Sequence, residues 1–149
     1  MIKYYYRGEK ERKGRELPAY KSGCWIDAQK PTEKELDFLA KTFSLERGHL
    51  RDAMDMFEVP RLETEKDTVY IFTRFPHNDG EQITTSPILI IVNTTFVATV
   101  SPKTPFFIER FLGKQNYITA NKVTLFLQLI SEINISYNFY FNHISQTMI

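Results

Sequence analysis

Cysteine is nearly absent from this 149-residue chain: Cys24 is its only thiol, so no internal disulfide can form and a reducing compartment is favoured. Beside Trp25 and Ile26, that thiol reads as a small buried side chain and not a reactive one. Excess charge of either sign is absent too. Nineteen basic residues face eighteen acidic ones, for a formal net charge of +1, so no global field draws in nucleic acid or an anionic membrane. No stretch approaches the ~20 apolar residues of a membrane span; "SPILIIVNTTFVATVSP" is broken by Asn93, Thr94 and Thr95. The opening "MIKYYYRGEKERKG" lacks the apolar centre of a signal peptide. Phosphate-binding glycine loops, H-E-x-x-H and cysteine clusters are all missing. His49, His77 and His143 have no catalytic motif around them; His77 reads as solvated and His143 as a surface or interface residue of the final helix. These absences predict a soluble, cytosolic chain that is not an enzyme.

What is present suits a single compact unit. The chain is 42% hydrophobic and 25% charged, ordinary values for a globular protein of one-domain length. There is no internal repeat, and no linker divides it. "IKYYY" (2–6) and "SGCWIDA" (22–28) read as strands around "RGEKERKGRE" (7–16), a charged loop or hairpin tip without the aromatic platform that nucleic-acid binding needs. In "KPTEKELDFLAKTF", Thr32 and Glu35 form a capping box, and Leu36, Leu39, Ala40 and Phe43 follow at helical spacing. Ser44 is the expected cap of a second helix with Leu50, Ala53, Met54 and Phe57 inside, ended by Pro60.

Beyond Pro60 the period becomes two. Val69, Ile71, Thr73 and Phe75 alternate with Tyr70, Phe72 and Arg74, between turns at Glu65–Asp67 and at "PHNDGEQ" (76–82). Ile88–Val92 is apolar throughout, as in a central strand covered on both faces, and "FVATV" returns after Asn93–Thr95. "KTPFFIERFLG" reads as a helix capped by Thr104 with Gly113 at its exit. Residues 119–149 lack proline and glycine and predict a helix of ~45 Å, apolar on more than one face and therefore covered by more than one neighbour. The fold class predicted is α/β (α+β): a mixed sheet between helical layers, residues 1–118, followed by a long C-terminal helix, residues 119–149, within the same compact unit.

The sharpest candidate for chemistry is the acidic joint around Asp52 and Asp55. On a helix, His49, Asp52 and Asp55 fall at i, i+3 and i+6, and an imidazole with two carboxylates can serve a transition metal, or carboxylates with waters a magnesium ion. Arg51, four before Asp55, can equally pair with it. Glu63 and Glu65 belong to the alternating strand and face solvent.

The order of several motifs then becomes informative: "WID" (25–27), "PTEKELDFLAKTFSL" (31–45), "LRDAMD" (50–55), "PRLE" (60–63), "DTVYIF" (67–72), "ILIIVNTTFVATV" (88–100) and "LFLQLISEINISY" (125–137). In this order they resemble the N-terminal cytoplasmic domain of CorA-type magnesium and divalent-cation transporters. The resemblance implies an α/β/α domain followed by a helical stalk, and pentameric assembly of the full-length protein at the cytoplasmic face of the cell membrane. The isolated piece is then a monomer or weak oligomer. Membrane contact would come only through a C-terminal part; the Gly-Met-Asn pore signature is absent from this chain. It implies a regulatory role, in which Mg2+ (or Co2+, Zn2+ or Ni2+) bridges neighbouring copies through acidic residues and controls pore gating. Asp52 is the position that matches one such carboxylate, with Asp55 nearby. Arg51, Ile135 and Ser136 stand where those members carry acidic residues. A free-standing α/β ligand- or partner-binding domain dimerising through the final helix is the alternative.

Overall fold

In the computed structural model, which describes residues 1–147, the period-two segments become seven strands. These are β1 (Ile2–Tyr6), β2 (Arg15–Leu17), β3 (Trp25–Gln29), β4 (Arg61–Glu65), β5 (Thr68–Asn78), β6 (Ile83–Val92) and β7 (Val97–Ser101). They form one sheet in the order β2-β1-β3-β7-β6-β5-β4. All neighbours are antiparallel except β3 and β7, which run parallel with Trp25 opposite Val97 and Gln29 opposite Ser101. The sheet is mixed, as the sequence predicts.

Helices cover both faces: α1 (Glu33–Thr42) and α2 (Arg47–Asp52) on one, α3 (Phe106–Lys114) and α4 (Lys122–Thr147) on the other. Strand alternation divides the core accordingly. Ile26, Leu89, Ile91 and Val100 pack with Leu36, Leu39 and Leu50. Trp25, Ile88, Ile90 and Val97 pack with Phe107, Phe111, Leu125 and Leu129. The central strands β3, β6 and β7 are buried on both sides, which is why β6 reads as an unbroken apolar run.

Local signals set several boundaries. The Thr32–Glu35 capping box forms with both its hydrogen bonds. Ser44 does not cap α2: with φ of 53° it follows the end of α1, and the Leu45 amide donates back to the Ala40 carbonyl, a C-terminal closure that needs a left-handed residue there. Glu46 caps α2 instead. That helix stops at Asp52 and passes into turns, so Phe57 is 89% exposed and not part of the inner stripe. The predicted turn at 76–82 is shorter, since β5 and β6 pair through Pro76 and His77 and only Asp79–Gln82 reverse the chain. Asp79 Oδ1 accepts from the Glu81 and Gln82 amides. His77 is therefore half-buried, with Nε2 2.6 Å from Ser86 Oγ, and not simply solvated. In α3, Pro105 and not Thr104 is the N-cap, and the exit is Gln115 at φ 55°, not Gly113. Cys24 is buried, and burial pushes its thiol pKa up.

The charged loop 7–14 is tied down at one close contact. Gly14 donates to the Gln115 carbonyl at 2.9 Å, and a Cβ on Gly14 would fall 2.0 Å from the Tyr117 ring; only glycine admits that approach.

The final helix starts at the Asn121 cap, whose Oδ1 accepts from the Thr124 amide. Its two halves differ. Leu125, Leu129 and Ile133 are buried against the sheet, whereas Phe139, Phe141 and Ile144 are 63%, 69% and 42% exposed. Between them, Tyr137 donates its hydroxyl to the Arg74 carbonyl at 3.1 Å. Met148 and Ile149 lie outside the described residues.

Candidate functional site

At the joint from α2 to β4, residues 53–60 cross the end of the sheet, and two arginines organise them. Arg61 opens β4 with its guanidinium 3.9 Å from the Phe72 ring centroid. Its Nη2 donates to Asp52 Oδ2 at 2.9 Å, its Nε lies 3.3 Å from Glu63 Oε1, and its Nη1 pairs with Glu58. Three carboxylates thus surround one cation. Arg74, on the neighbouring strand, donates from Nη1 to the Glu58 carbonyl, from Nη2 to the Met56 and Thr85 carbonyls, and from Nε to Thr85 Oγ1, all within 2.8–3.0 Å. It satisfies the backbone of a loop that has no strand to pair with.

The predicted set of His49, Asp52 and Asp55 is not brought together. His49 lies against the Tyr70 ring, its Nε2 3.5 Å from Glu65 Oε1. Asp52 turns to Arg61. Asp55 lies beyond the helix, where its Oδ1 accepts from the Phe57 amide at 2.9 Å. The expected Arg51–Asp55 pair does not form among the described residues; Arg61 and Arg74 are the cations that matter. Glu63, expected to be merely solvated, pairs with Arg61, and Glu65 lies beside His49. Among the described residues no group of three or more His, Cys, Asp or Glu side chains could hold a metal. Within the chain, Asp52 has the Arg61 guanidinium as its partner. One signal in the sequence pointed to Arg74: a cation placed between Phe72 and Phe75 in a strand with no other lysine or arginine.

A second carboxylate has no such company. Asp27 is 2% exposed at the centre of the sheet. Trp25 Nε1 donates to Thr99 Oγ1 at 2.9 Å, Thr99 Oγ1 donates to Asp27 Oδ1 at 2.7 Å, and Gln29 Nε2 donates to Asp27 Oδ2 at 2.8 Å. Burial raises the carboxyl pKa to about 6, against the hydrogen bonds from Thr99 and Gln29 and the fields of Lys3 and the amino group of Met1. The "WID" segment therefore encodes a buried polar row as well as a strand.

A mixed sheet with paired helical layers and a long final helix defines the class: an α/β domain. Over 98% of its length the chain superimposes on the complete CorA magnesium transporter from Methanocaldococcus jannaschii, with a TM-score of 0.82 at 20% identity, covering 48% of that protein. The soluble domain of the same CorA matches over 99% of this chain and 61% of its own, at 0.82 and 22% identity. The ZntB cytoplasmic domain from Vibrio parahaemolyticus RIMD 2210633 matches over 97% of this chain and 62% of its own, at 0.72 and 12% identity. At these identities the likeness establishes the fold. No curated protein matches the sequence. The profile of the CorA-like Mg2+ transporter protein family matches residues 20–148, and the chain belongs to that family. It spans about half the length of the complete transporter it resembles. No helix among the described residues is long and apolar enough to cross a membrane.

Proposed function

We propose that this chain is the cytoplasmic regulatory domain of a CorA-like divalent-cation transporter, and that it couples intracellular cation level to pore gating through the packing of neighbouring subunits. The observation that carries the reading is the division of α4. Its first half is clamped to the sheet through Leu125, Leu129 and Ile133 and leaves Val123, Leu127 and Ile135 exposed on its outer side, while its second half presents Tyr137, Phe139, Phe141 and Ile144 to the outside. A helix apolar around its girth is stable where further helices cover it, as in a stalk of several subunits. Family membership and the fold of the CorA soluble domain support the same reading.

In this reading Asp52 supplies one carboxylate of a contact between copies, with Asp55 as an auxiliary, and a neighbouring subunit supplies the rest. Arg61 already neutralises Asp52 within the chain, so a divalent cation must displace or share that partner. Occupancy moves the gating equilibrium only by the difference in cation affinity between the two packings.

The test uses the complete reading frame reconstituted in liposomes, with cation flux measured at low and millimolar Mg2+ on the cytoplasmic side. Flux that falls as Mg2+ rises, with the response weakened by Asp52→Ala, supports the proposal. Flux indifferent to cytoplasmic Mg2+ overturns the regulatory role, and an unchanged response in Asp52→Ala removes Asp52 from it. Light scattering of the 149-residue chain addresses the alternative: a dimer that persists on dilution and is lost on shortening α4 favours the free-standing domain.

A further inference from the structure

Buried ionised groups are normally paired with a charge of opposite sign, and Asp27 is not. Among the described residues no cation lies within ion-pairing distance of it. It borders a cavity of about 290 Å³ between the β1–β3 end of the sheet and the start of α3, with Tyr5, Gln29, Ile108, Glu109 and Leu112 among the walls.

The charges around this cavity are unequally satisfied. Lys3, directly across the strand pair from Asp27, reaches outward to Glu16 at 3.6 Å. The amino group of Met1 is held by the Gln29 carbonyl at 2.8 Å and by Glu35 at 3.2 Å. Both cations at the rim thus have their own partners. Glu109, on the α3 side, forms no ion pair among the described residues, and the β7 side contributes only the neutral Thr99 hydroxyl. Tyr5 is a phenol whose pKa is pushed up by burial and by Asp27, so it stays neutral. The two charges left without a partner are both carboxylates.

We propose that this cavity binds a small primary ammonium compound with an apolar body, its charged nitrogen on Asp27. Each Asp27 oxygen accepts one hydrogen bond from the protein and keeps acceptor capacity for another. Gln29 donates through its amide nitrogen, which leaves its carbonyl oxygen as a further acceptor. Three N–H donors suit such a set, while Tyr5, Ile108 and Leu112 offer apolar surface to a short carbon chain or ring. A dehydrated metal ion is a poorer occupant, because no third acidic or imidazole ligand joins Asp27 and Glu109.

The test is calorimetric titration of the whole chain with butylammonium, 2-phenylethylammonium and magnesium chloride, with the carbonyl-carbon resonance of Asp27 followed by NMR. Saturable one-to-one binding of an amine that moves the Asp27 resonance is expected at pH 7.5. Since ammonium binding needs the ionised carboxylate, affinity falls about tenfold at pH 5. Asp27→Asn should lose at least about tenfold, and Glu109→Gln about threefold, as for an exposed rim charge. Leu112→Trp, which fills the cavity and leaves Asp27 in place, should abolish binding, and it decides the matter should Asp27→Asn fail to fold. Absence of saturable binding by either amine overturns the proposal. So does binding indifferent to Leu112→Trp, or magnesium binding at Asp27 in preference to the amines.

Discussion

The joint around Arg61 and the row around Asp27 are two answers to the same problem of placing a carboxylate. At the joint Asp52 and Glu63 are half-exposed, Glu58 is mostly buried, and all three share one arginine, which itself rests on Phe72. In the row a single carboxylate is fully buried and held only by neutral donors. Water screens the Asp52 and Glu63 pairs, so each of them contributes little and charges can be exchanged. In the row nothing screens, so protonation state becomes a structural variable. The difference teaches that the number of acidic residues in a segment is a poor guide to where charge matters. The acidic joint stands out in the sequence, yet it is the lone Asp27 whose carboxyl pKa burial pushes up.

The largest expected effect tests whether the joint depends on Arg74 more than on its ion pairs. Arg74→Ala removes donors to Glu58, Met56 and Thr85, leaving half-buried carbonyls unmet. It should cost about 3 kcal/mol in urea denaturation, with faster amide exchange confined to residues 53–60. A loss below about 1 kcal/mol would mean that water replaces the arginine and that the joint is less fixed than its geometry implies.

Next comes the pH response of the buried row. The folded-state pKa of Asp27 is raised from 3.8 to about 6, so between those values the folded protein holds a proton that the unfolded chain has released. Its contribution to stability is therefore full below the unfolded value and is lost as pH rises through about 6. Asp27→Asn, which cannot ionise, should gain on wild type by about 3 kcal/mol between pH 3.5 and pH 7, read from paired denaturation curves. A difference constant across that range would show that the carboxyl is not perturbed, and the contrast between the two regions would collapse.

The smaller effects belong to the Arg61 pairs. Arg61→Ala, which leaves the mostly buried Glu58 unpaired, should cost about 2 kcal/mol, with a part that shrinks in high salt. Asp52→Ala should change stability by less than about 0.5 kcal/mol, since water screens its pair. A salt-independent loss of several kcal/mol for either would place the joint with the buried row.

Much of the fold was legible because its signals are local. The Thr32–Glu35 box, the alternation around Tyr70 and Phe72, and the apolar run of β6 each depend on neighbours close in sequence. Errors clustered where a local cue had two outlets. Ser44 looked like the start of α2 and instead closes α1, because the chain needs a left-handed residue there. His77 looked like a turn residue, but the register with β6 carries pairing past it. The acidic joint was visible as a cluster of charge, while its true partners were not: Arg61 and Arg74 reach Asp52 and Glu58 only after β4 and β5 pair beside the end of α2.

The sequence by itself determined the alternation that makes two cores, the cap that starts α1, and the order of motifs that marks the family. Each is a property of spacing along the chain. The tertiary structure alone decided which acids are neutralised, since that depends on distances across the sheet. It gave Asp52 an arginine nine residues away. It left Asp27 with a threonine hydroxyl 72 residues away, the Gln29 amide and, among the described residues, no ion pair. Burial, set by the stacking of layers, is the physical reason that the second carboxylate has its chemistry changed.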